Sequence, residues 1–342
     1  MHAARLSLLL GTLGVGAPVG AAEGTLVVLN KAEATASLID LASGKAVATV
    51  PTGEGPHEAA ASPDGRTVLA ANYGSRETPG SSLTVIDVPG ARVVRTIDLG
   101  PGRRPHGLVW LDGRRVAVTA EGSKALLVVD VQAGVVERVI ETGQDVSHMV
   151  AVTPDRTRAF VANIGSGNVT AIDLAAGKVL AQIPTGRGAE GIAVTPDGRE
   201  VWVTNREADT VSVIDTAGLK VLADLTSKSF PIRVALTPDG KRALVSNARS
   251  GEVAVFDAVE RRELARMSAK LEPRPGERLL AFAGSAPIGI VLDPKGERAF
   301  VAHANADAIA VFDLASGQVV TTLSAGREPD GMAYTPVSVG KP

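Results

Sequence analysis

Apart from His2 beside the N-terminus, the 342-residue chain carries four histidines, His57, His106, His148 and His303, and no cysteine. Neutral imidazoles from several of these, brought to one point, would hold a Zn²⁺ or Cu²⁺ ion at about 2.0–2.1 Å. Glu190 and Asp330 would then serve as a further ligand, as a group that orients a histidine, or as a general base. The first three histidines are 49 and 42 residues apart, far too wide for a local ligand motif. Only a fold that brings the chain back to the same rim at that interval would assemble them. The competing explanation is plainer: a wet rim tolerates polar residues, and histidines there mean only that water is near.

The sequence contains such an interval. Its clearest copy is Gly186 to Leu225, which holds four short runs of alternating apolar residues: Glu190 to Thr195, Glu200 to Asn205, Thr210 to Asp215 and Lys220 to Leu225. Each has strand length and period two. Pro196-Asp197-Gly198 turns the chain between the first two runs, proline pre-setting φ and glycine supplying a positive φ. Four such strands make one small antiparallel sheet, and a sheet with two apolar faces must stack on copies of itself.

The aspartate that ends the third strand marks the copies: Asp40, Asp87, Asp130, Asp173, Asp215, Asp257 and Asp313, with gaps of 47, 43, 43, 42, 42 and 56. Seven marks at this period predict an all-β, seven-bladed β-propeller with four antiparallel strands per blade. The chain enters at a second strand, Leu26 to Asn30, and ends on a first strand, Asp330 to Thr335. The C-terminal strand is therefore expected to join the N-terminal blade and close the ring, which removes two exposed edges. Residues 23–342 read as a single domain. Two places break the period: a longer loop at Asn72 to Ser82, and an insertion of about fourteen residues within 268–285. Counting blades from the first the chain completes, at Pro56, the insertion falls between blades five and six. The second strand usually ends in Asn (Asn30, Asn72, Asn163, Asn205, Asn247), but blade two has Glu121 there and blade six has His303.

In a propeller the first strand of each blade lines the central channel. Aligning these strands puts His57, His106, His148, Glu190, Ile232, Ile288 and Asp330 at equivalent entrance positions, with His303 expected on the same face. The catalytic candidates are Glu190 and Asp330, and the metal candidates are His57, His106, His148 and His303. The wider ligand-binding face adds Arg233, Arg206 and Tyr73. Arg103, Arg104, Arg187, Arg249 and Arg327 make this rim locally basic, while Glu54, Glu58, Glu121 and Glu328 oppose them. A formal charge of −2 and aromatics at 3% argue against a nucleic-acid surface, which needs a basic patch and stacking platforms. Gly186 to Gly191 matches GxGxxG but is followed by a strand, not the helix a nucleotide site needs.

Residues 1–22 read as a signal peptide: Arg5, the apolar stretch Leu6 to Val15, then Val19-Gly20-Ala21-Ala22 as small residues for cleavage. Cleavage removes Arg5 alone among the charged side chains, so −2 becomes −3. No later stretch is apolar enough to span a membrane. The expectation is a periplasmic or secreted protein.

The repeat resembles the YVTN family of seven-bladed propellers, through Val203-Thr204-Asn205, Val211-Ser212-Val213-Ile214-Asp215 and Ala193-Val194-Thr195-Pro196-Asp197-Gly198. Members of that family include periplasmic binding proteins, surface-layer proteins and accessory proteins of periplasmic dehydrogenase systems. The resemblance therefore implies a scaffold that binds a protein partner or small ligand on its top face, without catalysis of its own. The alternative is a propeller with a histidine site for Cu or Zn, engaged in lactonase-like hydrolysis or serving a redox system.

Overall fold

The computed structural model describes residues 22–275, 282 and 284–340. Residues 1–21 of the expected signal peptide and residues 276–281 and 283 of the insertion lie outside this set. Among the described residues there are seven four-stranded sheets and no α-helix. None of their helices is long and apolar enough to cross a membrane.

Six sheets follow chain order, from Pro56–Ala61 (β4) to Val319–Ser324 (β27). The seventh places Pro329–Thr335 (β28) against Thr25–Asn30 (β1), so both ends of the chain share one blade. The core is divided in the same way. Seven apolar clusters each draw on two adjacent sheets, from Leu69 packed with Leu127 and Trp110 to Phe300 packed with Leu26 and Met332. Every blade thus buries both faces, as a stack of amphipathic sheets must. With few aromatics available, Val, Ile, Leu and Ala fill most of this space, and Trp202, Phe160, Phe256, Phe300 and Phe312 take fully buried places.

The aspartate ruler closes turns. Asp173 accepts from the Ala176 N–H at 2.8 Å and Asp215 from the Gly218 N–H at 2.8 Å, the Asx pattern that fixes a tight turn locally. The second-strand asparagines tie neighbouring segments together. Asn205 donates to Thr210 Oγ1 at 3.0 Å and Ser212 Oγ at 2.9 Å. The expected Asn72 to Ser82 loop is mostly strand: Thr67–Gly74 (β5) and Pro79–Asp87 (β6) continue pairing as far as Gly74 opposite Pro79.

The seven channel-lining strands are β4, Pro105–Trp110 (β8), Ser147–Val152 (β12), Ala189–Val194 (β16), Pro231–Leu236 (β20), Pro287–Leu292 (β24) and β28. In each, pairing with its neighbour is irregular at the second or third residue, as between Pro56 and Ala59 or Ser147 and Met149. A bulge re-aims a side chain and interrupts the ladder. Here it turns the second residue of each strand toward the channel. Glycine follows that residue in four of the seven. A Cβ on Gly191 would sit 2.7 Å from Arg233 Cα, and one on Gly331 2.6 Å from Glu58 Cα. The bare backbone therefore lets adjacent strands close the ring tightly at this level.

Candidate functional site at the channel mouth

The re-aimed residues meet in a cavity of about 340 Å³ at the channel mouth, lined by His57, His106, His148, Glu190 and Asp330 among others. Tyr73, at the end of β5, and Glu121, which follows Arg115–Ala120 (β9), reach in from second strands. Arg233, Arg206 and Lys31 complete the charged lining.

A chain of hydrogen bonds links most of these groups. Tyr73 donates its hydroxyl proton to Glu121 Oε2 at 2.7 Å, and His148 Nδ1 donates to Glu121 Oε1. The other ring nitrogen, His148 Nε2, faces Glu190 Oε1 at 3.4 Å. Glu190 in turn accepts from Arg206 at 2.8 Å and from Arg233 at 3.2 Å. Arg233 reaches across the channel to Glu58 Oε1, with Nε at 3.0 Å. Lys31 Nζ lies 3.9 Å from Asp330 Oδ2.

Each group's protonation follows from its neighbours. Burial works against a charge on His148, but the Glu121 and Glu190 carboxylates outweigh it and raise its pKa above the ordinary imidazole value. Burial is likewise the largest influence on Glu190, yet His148, Arg206 and Arg233 together bring its pKa down to about 2. Burial pushes Glu58 upward, with Arg233 opposing. His57 is lowered to about 4 by burial and then by Lys31. His106 falls well below the ordinary value through burial and the neighbouring histidines. The site therefore combines one imidazole made more basic with two kept neutral. Strong shifts of opposite sign within one cleft are a mark of functional sites.

Four buried polar atoms of the lining make no hydrogen bond, His106 Nδ1, His148 Nε2, Arg206 Nε and Asp330 Oδ1, although Glu190 Oε1 faces His148 Nε2 at 3.4 Å. His106 is 1% exposed, and its ring centroid lies 3.7 Å from that of His148 and 4.9 Å from that of His57. His57 donates from Nδ1 to the Gly55 carbonyl at 2.7 Å, which leaves its Nε2 as the acceptor nitrogen. Buried polar atoms are normally satisfied, so a cluster without partners calls for a ligand or solvent.

A family model of YNCE-like beta-propellers matches residues 111–231. No curated protein matches the chain. Among solved structures, this chain resembles hydrazine synthase from Kuenenia stuttgartiensis, with 22% identity, coverage of 82% of this chain and 90% of that one, and a TM-score of 0.70. A functionally unknown protein from Desulfotomaculum acetoxidans is 14% identical over 92% of this chain and all (100%) of that one, with a TM-score of 0.77. The periplasmic gluconolactonase of Pseudomonas aeruginosa is 20% identical over 91% of this chain and 99% of that one, at 0.70. At these identities the likeness concerns the fold.

Of the residues singled out from sequence, the propeller brings His57, His106, His148, Glu190, Arg233, Asp330, Tyr73 and Arg206 to one cavity. His303 ends Arg298–His303 (β25) but is not among the lining residues. Its Nδ1 lies 2.9 Å from Ser285 Oγ, and the next residue, Ala304, belongs to an apolar cluster with Phe230, Phe282 and Ala286. Lys31 is the lining charge that sequence reading passed over. It directly follows Asn30, just as Arg206 follows Asn205, and that shared position was the available signal. Glu121 reads from sequence as a rim charge, but in the structure it holds His148. Its signal was the break in the asparagine pattern.

Proposed function

We propose that this protein is an exported propeller that binds a small polyhydroxylated acid, or its lactone, in the channel-mouth cavity. The observation that carries this reading is the set of buried atoms that make no hydrogen bond, His106 Nδ1, His148 Nε2, Arg206 Nε and Asp330 Oδ1, on residues that line that cavity. Such a lining offers acceptors and donors to hydroxyl groups, while Lys31 and Arg206 present cations to a carboxylate. The leader-like N-terminus supports export, and the shared fold with a periplasmic gluconolactonase supports the ligand class.

The test is calorimetry with gluconate on chelator-treated protein carrying no histidine tag. Saturable one-to-one binding is expected, weakened at least about tenfold by His106→Gln, the loss of roughly one hydrogen bond to a charged or buried group. Absence of heat at millimolar gluconate, with no binding of other sugar acids, overturns the ligand class.

A second reading, lactone hydrolysis, is favoured by His148 standing between Glu121 and Glu190, the arrangement of an oriented acid–base imidazole. It predicts that gluconolactone is consumed faster than in buffer, and that His148→Gln lowers the enzymatic rate about 10²–10⁴-fold. Equal rates with and without protein reject hydrolysis and leave the binding reading in place.

A further inference from the structure

The break in the asparagine pattern at Glu121 has a chemical counterpart in the structure. In four other blades the second-strand asparagine, Asn30, Asn72, Asn163 or Asn205, satisfies hydroxyls of its own sheet, as Asn205 does for Thr210 and Ser212. Glu121 instead presents a carboxylate to two histidines of neighbouring channel strands. His106, Glu121 and His148 are all buried, and one ligand atom from each lies within 4.8 Å of the other two. Two imidazoles and a carboxylate form the donor set of open, three-ligand zinc sites.

We propose that His106, Glu121 and His148 form a site for one divalent transition ion of the zinc class, with its remaining position open to the cavity. The donors fit this use. His106 Nδ1 is buried and carries no hydrogen bond. An ion entering there takes the place of the proton that His148 Nδ1 donates to Glu121 Oε1. Both of those atoms turn to the metal, and the proton leaves to solvent. The surrounding groups already act as an outer shell. Tyr73 holds the second oxygen of Glu121 at 2.7 Å, and Glu190 Oε1 stands 3.4 Å from His148 Nε2, facing the ring's other nitrogen. Such carboxylate partners fix the orientation of ligating histidines. Arg206 and Arg233, the nearest fixed cations, are paired with Glu190 and Glu58.

Ligand atoms around tetrahedral zinc lie about 3.3 Å apart, given bonds of about 2.0–2.1 Å. Separations of up to 4.8 Å in this group must therefore close by up to about 1.5 Å, a side-chain adjustment that leaves the strands in place. His57 lies outside the group, and so does His303, which makes His303 an internal control.

This site does not depend on the binding of a sugar acid. The test uses zinc alone: chelator-stripped, untagged protein is titrated with Zn²⁺, and metal content is measured after gel filtration. Co²⁺ is used in parallel for its absorption spectrum. One equivalent of zinc is expected, with a tetrahedral or five-coordinate cobalt spectrum. His106→Gln and Glu121→Gln each lower affinity at least about 100-fold, beyond the 10–100-fold typical of an outer-shell partner, whereas His303→Asn leaves it unchanged. Circular dichroism confirms that each variant is folded. Sub-stoichiometric zinc in the wild type, or one equivalent retained by folded His106→Gln and Glu121→Gln proteins, overturns the site. Gluconate calorimetry on the zinc-free protein separates the two proposals, since binding there upholds the ligand reading whatever zinc does.

Discussion

Replacing Arg233 with methionine is expected to destabilise the protein by about 3–5 kcal/mol, the cost of breaking a buried ion pair by removing one partner. Arg233 is 7% exposed and joins Glu58, in blade one, to Glu190, in blade four, from its own place in blade five. Methionine fills much of the volume but leaves two carboxylates in a cleft with fewer counter-charges. Urea unfolding at neutral pH measures the loss, and adding Glu58→Gln to Arg233→Met should recover part of it, because one stranded charge is then removed. A loss below about 1 kcal/mol, the level of an exposed pair, would show that solvent already screens this network.

The second large effect concerns acid. His303 is buried, and burial alone lowers its pKa to about 4 from the ordinary imidazole value of 6.5. Between those values the unfolded chain binds a proton that the folded chain refuses, so stability falls as pH falls. The stability is fully present above pH 6.5 and is lost progressively toward pH 4. The difference amounts to about 3 kcal/mol from this one residue. The repeat itself indicates the substitution to use. Asn163 and Asn247 stand where His303 does, at the end of the second strand, and each accepts from a serine hydroxyl, Ser147 at 2.9 Å and Ser227 at 3.1 Å, much as His303 lies against Ser285. His303→Asn should therefore fold at pH 7 and lose stability less steeply over this window, as read from unfolding midpoints at a series of pH values. Identical slopes for the two proteins would contradict a neutral, buried His303. His57, lowered to about 4 by burial and Lys31, contributes in the same direction and remains in the variant.

Much of the fold is legible in the sequence because its signals are local. Period-two alternation sets the strands, Pro-Asp-Gly sets the turns, and an aspartate every 42 or 43 residues in the central blades counts the sheets. The entrance positions follow because His57, His148, Glu190 and Asp330 stand at a fixed distance before a turn, while His106, whose blade is one residue short, is placed by Pro105, which precedes it as Pro56 precedes His57. What the sequence does not reveal is pairing across the channel. Glu58 and Arg233 are 175 residues apart and meet only because the ring closes. Nor does it reveal which way a side chain turns at the top of a strand. Glu121 and His303 both replace the same asparagine, yet Glu121 lines the cavity while His303 turns between blades toward Ser285. That choice depends on the neighbouring blade: a histidine with a ring nitrogen to offer stands beside Glu121, and a serine hydroxyl stands beside His303.

The most direct test of the channel-mouth cavity as the functional site is to follow the histidine ring ¹⁵N resonances by NMR while zinc-free protein is titrated with gluconate. The predicted result is saturable movement of the His106 and His148 signals, while the His303 signal stays in place. Saturable gluconate binding that leaves His106 and His148 unmoved would place the ligand elsewhere and contradict the account.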